Sequence, residues 1–332
     1  MRIALTCNIR PAGYSEKYIE WDDPSTVETI IQGLKTLGHE AEVVDCMQRD
    51  AIEEKLTSIK PDFVFNIAEG LTGENRESVV PQLLEKLNIP YTGSGPETLM
   101  NCLNKSRTKT KLQKHGIPTA TWCEIDKPLA KLPEKMAFPV IVKPLYEGSS
   151  KGIHNDNLVD NNENLLKKTG ELLEKFQQPM IVETFLNGRE FTVAMLGNGD
   201  SLKVLPIVEL NFDSLPAEAN RLYSFEAKWI WDRTEKPLEI FTCPAKLSEE
   251  LKDEIEATAR NAFRILNCRD WCRIDLRQDA SGKVNVIEIN PLPGIIPDPH
   301  ANSCFPKAAR AKGLNYIDII NCVLTSAIER SQ

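Results

Sequence analysis

The chain has 332 residues with a formal net charge of −8, and 41% of its residues are hydrophobic and 27% charged. This composition is typical of a globular protein of two or three domains, and its acidity argues against nucleic acid as the main partner. No apolar run reaches the roughly 20 residues that cross a membrane, and the first residues lack the pattern of a secretory signal. Nine cysteines without paired spacing are typical of reduced thiols, so we expect a cytoplasmic protein with no membrane partner.

The N-terminal part of the chain alternates predicted strands and helices. An apolar strand over residues 2–7 precedes a helix that Ser25 or Thr26 would cap, and the alternation continues to a short strand over residues 89–94. Strands that alternate with helices form parallel sheets, because each helix carries the chain back to the same edge. We therefore predict a parallel α/β domain over residues 1–97.

The middle of the chain carries a stretch rich in Gly and Ser. A Lys- and Arg-rich helix over residues 98–116 is followed by an apolar strand that ends at Lys143 and by EGSSKG, residues 147–152. The backbone N–H groups of such a loop can converge on phosphate oxygens, although its spacing matches neither the P-loop nor the Rossmann motif. An ordinary corner between two strands would use the same residues, so both interpretations stay open.

The sequence RIDLRQDASGKVNVIEIN, residues 273–290, alternates polar and apolar side chains with the period of β-strands. A hairpin symmetric about its Ser-Gly turn places Asp275 opposite Glu288, and Arg273 opposite Asn290, on one face. Opposed carboxylates repel unless a cation lies between them, and oxygen ligands suit Mg²⁺; the alternative is a solvated face on a surface hairpin. The apolar residues predicted to pack into a core on the other face are Ile274, Leu276, Ile287 and Ile289.

Five ordered motifs, NKSRTK, VKPLYEGSSKG, ETFLNGREFTV, RIDL and EINPLPG, lie between residues 104 and 294. Together they resemble the ATP-grasp superfamily, and within it the D-alanine–D-alanine ligases, and the resemblance extends over nearly the whole chain. It implies an α/β (α+β) ATP-grasp fold, in which the N-terminal parallel α/β domain is followed by two α+β domains that clasp ATP. We expect a central ATP-grasp subdomain over residues 98–186 and a C-terminal one, with the metal-binding hairpin, over residues 187–332.

The resemblance also implies roles for individual residues of the ATP half of the site. Contacts with ATP are implied for Lys105, Lys143, Ser150, Glu183, Leu186 and Glu190. Catalytic roles are implied for Ser149, Lys228, Arg273 and Gly294. Ligation of two Mg²⁺ ions, with Mn²⁺ as an alternative, is implied for Asp275, Glu288 and Asn290. The candidate lids over such a site are the Gly/Ser loop at residues 148–152 and the segment 221–236.

The amino-acid half departs from the family pattern in the N-terminal domain. The family's Gly-Gly-x-Ser-x-Glu segment is missing, so Glu20 is the candidate for its substrate-binding acid, with Asp22 and Asp23 as alternatives. A Glu-Gly pair beginning at Glu69 replaces the family's His-Gly pair. Glu69 and Glu74 fit a site for a cationic group at the end of a strand, while the following NRES segment is equally compatible with a simple helix cap.

Two further departures lie in the C-terminal part of the chain. Trp229 replaces a tyrosine of the family, and its ring N–H cannot accept a hydrogen bond, so it either stacks on substrate or anchors its loop. Ser303 is the candidate ligand for the acceptor carboxylate, although it follows an insertion of a few residues. Cys304 is expected to be a packing residue that does not line the pocket.

These features predict an ATP-dependent carboxylate–amine ligase that forms ADP, phosphate and an amide bond through an acylphosphate. D-alanine–D-alanine ligation is the nearest activity, but the altered half is at least as compatible with a different amino-acid substrate. The alternatives are an authentic D-alanine–D-alanine ligase, a nucleotide-binding module without turnover, and a small-molecule kinase. The expected partners are amino acids or other small carboxylates, and the resemblance implies a homodimer.

Overall fold

The structure is a computed structural model that describes residues 1–13, 16–232 and 236–332, so residues 233–235 of the predicted second lid lie outside the described residues. Within the described ranges, no helix is both long and apolar enough to span a lipid bilayer. In chain order, the helices and strands are β1 (Arg2–Cys7), α1 (Pro24–Thr36), β2 (Glu40–Asp45), α2 (Arg49–Ile59), β3 (Phe63–Asn66), α3 (Val79–Lys86), α4 (Pro96–Leu103), α5 (Lys105–Lys114), β4 (Trp122–Ile125), β5 (Val140–Pro144), β6 (Leu158–Val159), α6 (Asn162–Phe176), β7 (Met180–Thr184), β8 (Glu190–Leu196), β9 (Lys203–Val204), β10 (Val208–Leu210), a π-helix (Ala227–Trp231), β11 (Phe241–Thr242), α7 (Glu249–Ile265), β12 (Trp271–Gln278), β13 (Val284–Asn290), α8 (Cys304–Ala311) and α9 (Tyr316–Ser331).

The N-terminal sheet is parallel, with the strand order β2-β1-β3, which confirms the predicted α/β class of this part. Its first helix begins at Pro24, two residues before the start that a cap at Ser25 would give. Asp23 Oδ1 accepts a hydrogen bond from the N–H of Ser25 at 2.9 Å, and Pro24 occupies the first helical position, where its fixed φ is favourable and its missing N–H is not needed. The cap is therefore Asp23, and the prediction of Ser25 or Thr26 was wrong.

The remaining strands form two antiparallel sheets, and the chain passes from one to the other between β7 and β8. The four-stranded sheet has the order β4-β7-β5-β6, and the other has the order β11-β10-β8-β12-β13, with β9 paired to β8. At the crossing, the Gly188 N–H donates to the Gln278 carbonyl at 3.0 Å, and a Cβ on Gly188 would lie 2.7 Å from that oxygen. The domain boundaries predicted at 97/98 and 186/187 stay predictions, and the second is next to this crossing.

The helix predicted over residues 98–116 is broken into α4 and α5 at Asn104. This residue has extended backbone angles, φ −82° and ψ 100°, and its side chain accepts a hydrogen bond from the N–H of Arg107 at 2.9 Å. Asn104 is thus the N-cap of α5. As a result Lys105 is the first residue of a helix, where the unpaired backbone N–H groups favour anions.

β12 and β13 form the predicted hairpin, but its register shifts by one residue next to Asp275. Both predicted polar pairs are present, with Asp275 opposite Glu288, whereas Leu276 pairs with Val286. Ile287 is therefore the extra residue of a β-bulge, and it lines the large cavity of the protein instead of the core. The prediction that Ile287 faces the core was wrong, and Val286 takes the core position.

Aromatic packing joins the N-terminal sheet to the larger antiparallel sheet. Trp271 on β12 is completely buried, and its ring contacts Phe65 on β3 and Phe305 on α8 edge to face, with centroid distances of 6.0 and 5.8 Å. These residues belong to one continuous apolar core. The four-stranded sheet packs against α6 over a separate core, whose described members all lie between residues 123 and 182.

Asp270, just before β12, connects three distant parts of the chain through hydrogen bonds. Its side chain is 0% exposed. Its carboxylate accepts hydrogen bonds from the Gly93 N–H at 2.7 Å, from Asn198 Nδ2 at 2.8 Å and from Arg330 Nη2 at 2.9 Å. A buried carboxylate that loses its charge leaves its donors unsatisfied.

We expect Asp270→Asn to lower the free energy of unfolding by about 3 kcal/mol, because the Arg330 guanidinium and the Gly93 N–H lose an ionised acceptor. Urea unfolding followed by circular dichroism measures the change. Asp253→Asn, at an exposed position of α7, is the matched control and should be nearly neutral. Equal stability of the two variants would contradict the importance of this buried acceptor.

Candidate active site

A cavity of about 530 Å³ lies among the ends of β5, β7, β8, β12 and β13 and the loop over residues 19–26. Asn290 and Glu69, two of the predicted site residues, are not part of its lining. The predicted site residues that do line it are Glu20, Lys105, Lys143, Ser149, Ser150, Glu183, Leu186, Glu190, Lys228, Trp229, Arg273, Asp275, Glu288, Gly294 and Ser303. Side chains spread over most of the sequence are thus brought to one cavity.

Glu183, on β7, presents a buried acceptor to this cavity. The residue is 3% exposed. Its Oε2 accepts from Lys143 Nζ at 2.9 Å and lies 3.5 Å from Lys109 Nζ, while its Oε1 has no hydrogen-bond partner in the described part of the chain. Burial would raise the pKa of Glu183, but Lys109 and Lys143 hold it below its usual range. The carboxylate is ionised, with one oxygen available to a donor group.

Lys109, which sequence reasoning missed, does not line the cavity but lies 3.5 Å from the Glu183 carboxylate. It is 1% exposed, and its Nζ donates to Thr119 Oγ1 at 2.9 Å. Burial lowers its pKa, and the charge of Glu183 opposes this effect. The only available signal was its position four residues after Lys105, on the same face of a helix.

Arg277 was missed as well, although it follows Asp275 with the period of a strand and so shares its face. Its Nη1 donates to Glu190 Oε2 at 2.8 Å, and it lines the cavity. Burial raises the pKa of Glu190, and the charge of Arg277 opposes that rise. The two side chains form a buried ion pair in the cavity wall.

The polar face of the hairpin holds its carboxylates among hydrogen-bond donors. Asp275 accepts from Thr192 Oγ1 at 2.8 Å, from Arg273 Nη2 at 3.0 Å and from Asn290 Nδ2 at 3.2 Å. Burial would raise the pKa of Glu288, but Lys105, whose Nζ lies 3.2 Å from Glu288 Oε1, and Arg273 lower it. Both carboxylates are therefore balanced by cations of the protein.

The chemistry of these donors fits Mg²⁺, which prefers carboxylate and amide oxygens and keeps several waters. Asp275 and Glu288 face each other across the hairpin, and Asn290 follows two residues along β13. Among the described residues, no three His, Cys, Asp or Glu side chains form a ready metal cage.

The Gly/Ser loop contacts the N-terminal domain directly. The Gly148 N–H donates to Glu20 Oε1 at 3.0 Å, so it is not free to bind a phosphate as the anion-binding interpretation expects. A Cβ on Gly148 would lie 2.5 Å from the same oxygen, so any side chain there would displace the end of Glu20. Ser149 and Ser150 have positive φ values of 52° and 60°, an uncommon backbone conformation that concentrates at functional sites.

The two predicted lids bind each other in this structure. Ser150 Oγ donates to the Tyr223 carbonyl at 2.9 Å, and Trp229 Nε1 donates to the Ser149 carbonyl at 2.9 Å. Further along, His154 Nδ1 lies 2.8 Å from Glu226 Oε1. Trp229 and Lys228 lie on the π-helix, a rare element that is frequent at functional sites. The described residues of both loops thus form a joint cover.

Three further residues of the cavity lining are Lys228, Ser303 and Cys304. Burial and the neighbouring Arg273 lower the pKa of Lys228 to about 8. Cys304 lines the cavity, so the expectation that it only packs in the interior was wrong; burial raises the pKa of its thiol to about 11. Ser303 is the N-cap of α8, and its Oγ accepts from the Ile296 N–H at 3.3 Å.

Glu69 lies apart from the cavity, next to other acids of the N-terminal domain. Burial raises its pKa well above the usual range, and the nearby charges of Glu77 and Glu20 add to this rise. Burial likewise raises the pKa of Glu77 to about 7. Arg76, which sequence reasoning missed, forms ion pairs with Glu20 and Glu77 at 2.8 and 3.7 Å.

Comparisons with known proteins show the family to which this sequence is similar. The family model described as D-ala D-ala ligase C-terminus matches residues 112–325. A D-alanine–D-alanine ligase of Alcanivorax borkumensis is 36% identical over 303 residues, covering 90% of this chain and 87% of that protein. An uncharacterized protein, y4sG of Sinorhizobium fredii, is 32% identical over 346 residues, covering 99% of this chain and 98% of that protein.

Solved structures agree with the fold. A D-alanine–D-alanine ligase of Bacillus anthracis is 25% identical with a TM-score of 0.75, covering 99% of this chain and 98% of that one. The structure of that enzyme complexed with ATP has the same TM-score of 0.75 at 24% identity. The chain therefore has the ATP-grasp fold and belongs to the D-alanine–D-alanine ligase family of ATP-dependent ligases.

Proposed function

We propose that this ligase joins a carboxylate to an amine through an acylphosphate, using an amino-acid pocket that differs from that of D-alanine–D-alanine ligases. The observation that carries the proposal is the convergence of Arg273, Asp275 and Glu288 on a cavity that also contains the free acceptor of Glu183. A cavity with ionised carboxylates, cations and a buried acceptor suits a nucleotide triphosphate and a second, smaller substrate.

The nucleotide half of the proposal rests on buried charges. Glu183 Oε1 is an acceptor for the amino group of adenine, and Glu190, held by Arg277, is an acceptor for the ribose hydroxyls. Lys105 and Lys143 each pair with a carboxylate that lines the cavity. When ATP binds, their ammonium groups exchange these carboxylates for phosphate oxygens. The backbone of Leu186, which lines the cavity, completes the adenine site by family resemblance.

Phosphoryl transfer is assigned to the hairpin and the π-helix. A carboxylate oxygen of the first substrate attacks the γ-phosphorus, the bond to ADP breaks, and Arg273 and Lys228 balance the negative charge on the transferring group. Mg²⁺ or Mn²⁺ held by Asp275, Glu288 and Asn290 would neutralise further phosphate charge. The amine then attacks the acyl carbon, phosphate leaves, the amine loses a proton, and the backbone of Gly294 supports the oxyanion.

The amino-acid half carries the difference from the relatives. Glu20 and Ser303 are the proposed ligands of the ammonium and carboxylate groups, and Ser149 and Trp229 cover them through their mutual hydrogen bond. Since the Trp229 N–H is already used, Trp229 meets the substrate with its ring, which favours an apolar contact. Glu69 supports this half only indirectly, through Arg76.

The pKa of Lys228 predicts a pH dependence. In the free enzyme its ammonium loses its proton near pH 8, so kcat/KM for ATP should fall as the pH rises from 7 to 9, because kcat/KM reports the free enzyme. In the complex with ATP the phosphate groups raise the pKa of Lys228, so kcat should fall less than kcat/KM over the same pH range. Lys228→Arg, which stays charged over this range, should give a flat profile. An identical fall in the variant would assign the titration to another group.

The experiment that tests the function is phosphate release from Mg-ATP by the full chain, screened over single amino acids and pairs that include D-alanine. Mass spectrometry identifies the product. Release with D-alanine and formation of its dipeptide would identify a D-alanine–D-alanine ligase and overturn the proposed difference in the pocket. Turnover only with another pair is the result that we expect.

Two other outcomes would overturn the proposal. Hydroxylamine-trappable acylphosphate that no amine consumes would indicate a small-molecule kinase. ATP binding by titration calorimetry without any turnover would indicate a nucleotide-binding module. We also propose, from the family resemblance, that the chain forms a homodimer, which sedimentation velocity measures.

A further inference from the structure

Arg76 is buried at the junction between the N-terminal domain and the Gly/Ser loop. It is 5% exposed. Its Nη2 donates to Glu20 Oε1 at 2.8 Å, and its Nη1 donates to the backbone carbonyl of Tyr146, two residues before the loop. One guanidinium therefore contacts both the proposed substrate-binding acid and the chain segment that leads into the lid.

Polar contacts matter at this junction because, among the described residues, no apolar cluster joins the N-terminal domain to the four-stranded sheet. The core of the four-stranded sheet contains no described residue from positions 1–97. An exposed ion pair, Arg107 with Glu74 at 3.6 Å, also crosses between the two parts, but exposed pairs contribute little to stability. The buried contacts of Arg76 are thus the stronger connection between the two parts.

The Glu20 carboxylate uses a single oxygen for two bonds. Oε1 accepts from both Arg76 Nη2 and the Gly148 N–H, at 2.8 and 3.0 Å. Since Glu20 lines the cavity, this arrangement leaves the other oxygen, Oε2, to contact a substrate group. Arg76 thus orients both the carboxylate and the loop that covers it.

Several acids lie around the Arg76 guanidinium. Arg76 Nη2 lies 3.7 Å from Glu77 Oε1 as well as 2.8 Å from Glu20, and Glu69 is near enough to interact with both carboxylates. Burial lowers the pKa of Arg76, but the charges of Glu20, Glu77 and Glu69 raise it by more. Removing the guanidinium would take from Glu20 its ion-pair partner at 2.8 Å and move this carboxylate away from its position.

We propose that Arg76 is a positioning residue, which holds Glu20 in the cavity and the loop 148–152 over it. The inference rests on the proposed function, in which Glu20 binds substrate, but the contacts themselves do not depend on the substrate. Arg76 itself does not line the cavity, so it acts through Glu20 and Tyr146.

The test compares three variants of the full chain with the wild type. Arg76→Met removes the donors, Arg76→Lys keeps the charge but replaces the planar fork with a single ammonium, and Arg107→Met removes the exposed pair as a matched control. Hydrogen–deuterium exchange of the peptide that covers residues 145–153 reports the loop without any substrate. We expect exchange on the order of 10-fold faster at Gly148 in both Arg76 variants and no change in Arg107→Met.

Kinetics with Mg-ATP and D-alanine, or with the amino acid that gives turnover in the screen, supply the second readout. We expect kcat/KM for the amino acid to fall on the order of 100-fold in Arg76→Met, with the KM for ATP unchanged. The double variant Arg76→Met with Glu20→Gln should lose little more kcat/KM than either single variant, because both changes remove the same contact. Arg76→Lys should have a lower kcat/KM than the wild type and nearly the same thermal stability. This variant keeps the test valid if Arg76→Met does not fold.

Unchanged exchange at Gly148 in the Arg76 variants, or equal losses for ATP and the amino acid, would overturn the positioning role. Additive losses in the double variant would also overturn it, because they would separate Arg76 from Glu20. Failure of the proposed function is distinct from these results. It would appear as absent turnover in the wild type, while the exchange data would still decide whether Arg76 holds the loop.

Discussion

Glu288→Gln is expected to reduce ATP turnover on the order of 1,000-fold while the chain stays folded. The substitution keeps the shape of the side chain and removes its charge. That charge is set by Lys105, whose Nζ lies 3.2 Å from Glu288 Oε1, and by Arg273, which together keep the carboxylate ionised despite burial. Without it, the hairpin loses one of the two opposed carboxylates that suit Mg²⁺.

Glu288→Gln should weaken Mg²⁺ binding as well as lower the rate of turnover. Mg²⁺ titrated in the presence of ATP should bind the variant more weakly by calorimetry, and the Mg²⁺ concentration for half-maximal turnover should rise. Glu209→Gln is the matched control, because Glu209 lies on the same sheet in an ion pair with Arg189 and does not line the cavity. Full turnover by Glu288→Gln, with unchanged Mg²⁺ binding, would remove the hairpin from the metal site.

Arg273→Lys is expected to lower kcat on the order of 1,000-fold, with a smaller change in the KM for ATP. Arg273 holds Asp275 through Nε at 3.2 Å and Nη2 at 3.0 Å, and it lines the cavity beside Lys228. A lysine keeps the charge but cannot contact both the carboxylate and a transferring phosphoryl group with a planar fork. The loss should therefore appear mainly in the rate of phosphoryl transfer.

Single-turnover phosphate release separates that step from product release. Arg189→Lys is the control, since Arg189 makes a two-pronged contact with Glu209 on the same sheet, at 2.7 and 2.8 Å, away from the cavity. A fall in affinity for ATP without a fall in the single-turnover rate would mean that Arg273 binds the ground state only. Restoration of the rate by added guanidinium ions in Arg273→Ala would strengthen the assignment.

The two polar pairs of the hairpin were predictable because they depend on local periodicity. Two strands joined by a tight turn have a nearly determined register, so Asp275 and Glu288 could be placed opposite each other from the sequence. The bulge at Ile287 was not predictable, because it depends on how the hairpin packs against β8 and the cavity. The break at Asn104 was also missed, since an Asn within a helical pattern becomes a cap only in a particular tertiary setting.

Sequence by itself therefore determined the fold class, the family resemblance and the polar face of the hairpin, all of which rest on short-range pattern. Tertiary structure alone decided the partners of Arg76, Lys109 and Arg277. Arg76 meets Glu20 across 56 residues and Tyr146 across 70, and no spacing rule connects such positions. The cost of burying these charges is offset only where the folded chain brings the opposite charges together, so their roles emerge with the fold and not before it.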